Sequence, residues 1–218
     1  ANIRLFDYIN GFYNRNRIHL AINFLSPIQF ENSLFTLNPF RLFVFNLLTM
    51  VSTNLKTVSF NYLSSKLTAI SQWCFLDCYN LENITLPKSI KDISIGAFQN
   101  CASLKSITIP ENVDRVYNDS FNGCTSLESI TFAGSSTQDL IVYKTASQNL
   151  PALKTVTINK YKSLTFEENT FASCNNLSTV NFPISSSGSI DIAGISFGTG
   201  SFAGTPVYNL MKFIFPNI

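Results

Sequence analysis

The sequence predicts a repeat solenoid: a right-handed coil with a parallel β-sheet of about eight strands on its concave face, and an irregular return side with few helices. Three observations predict it. A leucine-anchored segment recurs at Leu81, Leu104, Leu127, Leu153 and Leu177, in steps of 23, 23, 26 and 24 residues. Each copy then alternates polar and apolar residues, as in Ser106-Ile107-Thr108-Ile109, the pattern of a half-buried strand. Charged residues at equivalent positions of consecutive copies alternate in sign.

Taken from the N-terminus, residues 1–33 are expected to form a cap, with a short helix on Leu5, Phe6, Ile9 and Phe12 followed by a strand. The solenoid is expected over residues 34–218, opening with weak copies, SLFTLNP around Leu34 and NLKTVSF around Leu55. The clear copies read FLDCYNLENITLP, FQNCASLKSITIP, FNGCTSLESITF, SQNLPALKTVTI and FASCNNLSTVNFP. Their unit is F-x-x-C-x-x-L-x-x-I-x-[IF]-P, preceded by two apolar residues three apart, such as Ile90 and Ile93 or Val113 and Val116. Leu104, Ile107 and Ile109 are expected to point inward, and Lys105, Ser106 and Thr108 outward. Ser147 and Leu150 replace the phenylalanine and cysteine in one copy, and insertions lengthen the unit around residues 134–149 and 185–200, so irregular coils are expected at 133–149 and 184–206. FAGTPVYNLMKF is read as a last weak copy, with Phe202, Tyr208, Met211 and Phe213 in the repeat positions.

The segment L-x-x-I-x-I resembles the strand half of a leucine-rich repeat. ITLPKSIKDISIGAFQNC and ITIPENVDRVYNDSFNGC resemble the BspA-like surface-antigen subtype. The resemblance covers residues 62–183 most clearly and implies a surface-exposed or secreted protein engaged in adhesion or host contact.

The charge pattern tests the register. Lys56, Glu82, Lys105, Glu128 and Lys154 follow the anchor leucines, while Lys88 faces Glu111, Lys91 faces Asp114 and Asp92 faces Arg115. All adjacent pairs are of opposite sign, which random assignment gives roughly once in a hundred. The ladder reads as lateral salt bridging that sets stacking order, because alternating signs cancel the field that a charged ligand track needs.

Chemistry is sparse. Cys78, Cys101, Cys124 and Cys174 share one position, where Leu150 marks an apolar slot, so these cysteines read as small core residues chosen for size. Cys74 occupies the column of Ala97, Ser120 and Thr170 and also reads as structural. No paired zinc ligands are present, and no metal or cofactor is expected. The single histidine, His19, stands without a neighbouring nucleophile motif. Glu167 and Glu168 are expected to point to opposite sides and make a poor acid/base couple. GTGSFAG reads as a flexible insert rather than a phosphate loop. No catalytic residue is assigned, and the chain is read as non-enzymatic.

With 45% hydrophobic and 13% charged residues the chain is globular, and its net charge of +2 is too small for a nucleic-acid footprint. The longest apolar run, residues 40–51, is short of the roughly 20 residues a membrane span needs, and ANIRLFDYING has no signal-peptide pattern.

Contact is expected on the polar columns of the concave sheet: Asn83, Thr85, Lys105, Ser106, Thr108, Glu128, Ser129, Thr131, Lys154, Thr155 and Thr157. The occupant expected there is a protein or glycan. Thr179 extends the first column, and threonine also suits an exposed strand with no ligand at all. Sequons at Asn83, Asn118 and Asn176 are candidate glycosylation sites. The apolar MKFIFPNI leads to a second expectation: a structural scaffold that self-associates through that end, with Phe213 and Phe215 at the contact.

Overall fold

The computed structural model describes residues 56–58 and 67–218. The expected cap, His19 and the weak copy around Leu34 lie outside those residues, as does the anchor Leu55. Within them the chain winds as a parallel-strand solenoid in which each turn contributes one strand to each of two faces.

The first face carries the L-x-x-I-x-I strands: β1 (Thr57–Val58), β3 (Asn83–Ile84), β5 (Ser106–Ile109), β7 (Ser129–Phe132), β9 (Thr155–Ile158) and β11 (Thr179–Asn181). Thr57 pairs with Asn83, and Ser106, Ser129, Thr155 and Thr179 pair in succession. Each register partner stands two residues beyond an anchor leucine, as the repeat alignment requires. Leu104, Ile107 and Ile109 are buried while Lys105, Ser106 and Thr108 are exposed. Proline after the strand, as at Pro87 and Pro110, has no N–H to continue the ladder and so releases the chain toward the other face.

The return side is more regular than expected. It is a six-stranded parallel sheet in the order β12-β10-β8-β6-β4-β2. Its members are β2 (Ala69–Ile70), β4 (Asp92–Ile93), β6 (Arg115–Val116), β8 (Asp139–Val142), β10 (Ser163–Phe166) and β12 (Ile195–Phe197). Strands β8 and β12 fall inside the two stretches expected as irregular coil, and GTGSFAG follows β12 directly. Strands of two residues are too short to show alternation, so only lateral pairing reveals them. Val116, Val142, Phe166 and Phe197 in turn point inward.

A tight corner joins the second sheet to the first. Two positions per turn have positive φ: Trp73, Gly96, Asp119, Thr145, Asn169 and Gly200 in one column, and Asp77, Asn100, Gly123, Asn149, Ser173 and Gly204 in the other. Asn, Asp and Gly tolerate this region best and dominate both columns. Corner backbones also pair laterally: Phe75 N–H donates to Ala97 C=O, and Phe98 N–H to Ser120 C=O, both at 2.8 Å. Side chains stack behind them. Phe75, Phe98 and Phe121 lie nearly parallel at centroid distances of 5.2 and 5.7 Å, and Phe171 stacks on Phe202 at 5.5 Å. Buried Ser147 interrupts this column between Phe121 and Phe171.

The last weak copy is not a strand. FAGTPVYNLMKF leads into helix α1 (Tyr208–Ile214), with Val207 and Met211 buried and Phe215 partly buried, a spacing of four along one helical face. Phe215 packs on Phe182 and Phe197, which follow β11 and end β12. The helix therefore covers part of the core end that a further strand pair would have covered.

Candidate functional site

The polar columns expected as a contact surface do face outward. Asn83, Thr85, Lys105, Ser106, Thr108, Glu128 and Lys154 are exposed, and Ser129, Thr131, Thr155 and Thr157 are half-buried between neighbouring strands. Thr108, Thr131 and Thr157 are in register, and Asn181 closes their column by donating to Thr157 Oγ1 at 3.2 Å. A cleft of 310 Å³ opens where β3, β5 and β7 end. Its lining includes Thr85, Thr108, Ile84, Leu86, Pro110 and Ala133, with Lys88 and Glu111 bonded to each other at 3.1 Å beside them. Its lining thus combines two hydroxyls with four apolar side chains.

Most of the charge ladder forms as read. Lys56–Glu82, Lys88–Glu111 and Lys154–Glu128 close at 3.1 Å, Arg115–Asp92 at 2.6 Å and Lys91–Asp114 at 4.0 Å. Lys105 is the exception: Glu82 turns to Lys56 and Glu128 to Lys154, so Lys105 makes no ion pair among the described residues. Each of these carboxylates closes on one of its two flanking lysines, a choice that sequence alternation alone cannot show. Two further bridges, Lys162–Asp139 at 3.1 Å and Lys160–Asp191, tie the stretches expected as coil into the stack.

All five cysteines are buried free thiols. Size is not their whole role. Cys101 donates its S–H to the Phe75 carbonyl at 3.2 Å, Cys124 to Phe98 at 3.1 Å and Cys174 to Ser147 at 3.3 Å, each reaching into the preceding turn. Cys124 next to it, together with burial, pushes the Cys101 thiol far up, and burial pushes Cys174 to about 11. Such thiols are protonated and inert at neutral pH. Among the described residues no group of three or more His, Cys, Asp or Glu side chains is placed to hold a metal ion.

Glu167 and Glu168, expected on opposite sides, line one cleft. It has a volume of 520 Å³ at the end of β10 and β12, with Lys144, Thr165, Ser196 and Gly198 beside them. Sequence reasoning misses this place because the glycine-rich stretch from Gly198 carries no periodic signal that would stack it beside the acidic pair. The three sequons differ in setting: Asn83 and Thr85 are exposed, Ser120 after Asn118 is buried, and Asn176 Nδ2 donates to Pro151 C=O at 2.6 Å.

A family profile described as BspA type leucine rich repeat region matches the chain in six copies, over residues 49–178 and 141–216. The chain belongs to the BspA-type leucine-rich repeat family. No curated protein matches this BspA-type chain closely enough to count as a relative. Among solved structures it is similar to a leucine-rich repeat protein of T. pallidum, at 20% identity and a TM-score of 0.47, covering 69% of this chain and 78% of that one. A leucine-rich cell surface protein of Faecalibacterium prausnitzii matches at 22% identity and a TM-score of 0.39, over 59% of this chain and 42% of that one. A leucine-rich repeat protein of Bacteroides ovatus matches at 19% identity and a TM-score of 0.38, over 71% and 50%. No helix among the described residues is long and apolar enough to cross a membrane.

Proposed function

We propose that this BspA-type repeat is a non-enzymatic binding module, presented at a cell surface or secreted, that holds a protein or glycan partner for adhesion on the face of β3, β5, β7 and β9. The supporting observation is the 310 Å³ cleft, because Thr85 and Thr108, two of the residues singled out from sequence, line it together with the apolar Ile84, Leu86, Pro110 and Ala133. A preformed concavity with few polar groups is what a specific contact requires. Lys105, without an ion-pair partner among the described residues, is a cation on this face placed to meet a partner's acidic group. The surface-antigen resemblance supports the location.

The test is an array of matrix proteins and glycans probed with the intact chain and with a Lys105→Ala/Thr108→Ala variant. Binding lost in the variant, with thermal stability retained, is the expected result. Silence across the array, or binding indifferent to the variant, rejects this face as the site.

Self-association through the chain's last segment is the second reading, and one observation favours it: Phe213 is 84% exposed. Phe215 does not share that role, since it packs on Phe182 and Phe197.

A further inference from the structure

We propose that the 520 Å³ cleft at the end of the second sheet is a separate binding site for an uncharged pyranose sugar. Its volume lies within the range of small-molecule sites, about 300–1,000 Å³. The lining suits hydroxyls that both donate and accept: Glu167 and Glu168 accept, Lys144 donates, and Thr165 and Ser196 do either. The last two are already within 3.3 Å of each other, so one sugar hydroxyl can bridge them. Two carboxylates against one ammonium leave the cleft slightly negative, which disfavours sulfated or uronic sugars and selects the uncharged class.

An aromatic ring stands at its side. Tyr143 precedes Lys144 and stacks on Tyr117 with centroids 4.9 Å apart and rings 3° from parallel. Val142 pairs with Phe166, so Tyr143 and Glu167 are lateral neighbours. The column then continues with Glu167 and Gly198, which line the cleft, instead of another ring, so the stack of rings ends at Tyr143, one position outside the lining. The C–H face of a pyranose is apolar and packs on such a ring, while its hydroxyls turn outward to polar partners.

The cleft is also held in shape. Glu167 N–H donates to Val142 C=O at 2.9 Å, and Lys144 N–H donates to Glu167 Oε2 at 3.2 Å. A Cβ on Gly198 would lie 2.6 Å from the Glu168 nitrogen, so only glycine lets the end of β12 press against the acidic pair. Fixing the polar groups before binding lowers the ordering cost.

The test is an amide NMR titration of the labelled full chain with soluble neutral tetrasaccharides of glucose, galactose, mannose and N-acetylglucosamine. At least one is expected to shift Lys144, Glu168 and Gly198 saturably at millimolar concentration. Tyr143→Ala and Glu168→Gln should each weaken that binding about tenfold, while Lys105→Ala/Thr108→Ala leaves it unchanged, which separates this site from the first-sheet face. No saturable shift with any of the four sugars overturns the proposal. So does binding that both variants leave intact, or shifts confined to Thr85 and Thr108.

Discussion

Cys101 shows how one side chain serves both packing and polar satisfaction in a stack. Its slot is fully buried, and its S–H supplies a second donor to the Phe75 carbonyl, which also accepts Cys78 N–H at 3.2 Å. Cys101→Ala is expected to cost about 1–2 kcal/mol in urea denaturation, from the space vacated and the bond lost. Cys174 sets a pH dependence. Burial raises its thiol from the ordinary 9.0 to about 11, so its contribution is complete below 9.0 and is lost as pH rises through about 11. Stability measured across that interval should fall, and less steeply in Cys174→Ala. Ser147 is the opposite case: its hydroxyl is fully buried without a hydrogen-bond partner among the described residues. Removing an unsatisfied buried hydroxyl relieves its desolvation cost, so Ser147→Ala should hold the stability measured in urea or raise it by up to about 1 kcal/mol.

At the level of elements, lateral pairing decides what local pattern leaves open. The first-sheet strands are legible because alternating residues after an anchor leucine mark them, with a terminal proline as well at Pro87, Pro110 and Pro183. Strand β8 is not, although Leu140 and Val142 are buried and Ile141 pairs with Arg115. The lengthened turn before it, from Ala133 to Gln138, disguises the repeat. That turn is accommodated by Gly134 lying against Tyr161: a Cβ there would come within 2.2 Å of the buried ring. The ring belongs to a packed core and cannot step aside easily. Gly134→Ala should therefore destabilise by about 1–3 kcal/mol, read as a lowered midpoint in thermal unfolding, and the double variant Gly134→Ala/Tyr161→Leu should recover part of the loss.

For the molecule as a whole, the issue is what lies against the face of the stack beyond β11 and β12. A solenoid whose last turn is uncovered offers its core to another copy. Here α1 lays Val207, Met211 and Phe215 toward the end of the stack, and Phe215 meets both Phe182 and Phe197. Phe215→Ala should cost about 3 kcal/mol, seen as a lower melting temperature, because it opens the capped core. Phe213→Ala should leave the melting temperature unchanged. If copies associate through this end, light scattering should show that Phe213→Ala alone reduces the association of a still folded chain; equal scattering before and after removes that reading.

What the sequence determined by itself was the repeat: its length, its first-sheet register and the inward columns of Leu, Ile, Phe and Cys. Each is a local pattern copied along the chain, so comparing copies substitutes for seeing them stacked. The tertiary structure decided what depends on distance between turns. It made the return side a sheet, turned the last copy into a capping helix, left Lys105 without its acid, and brought Glu167, Glu168 and Gly198 to one cleft. These outcomes follow from which neighbour each group reaches first in space, and spacing along one chain carries no record of that choice.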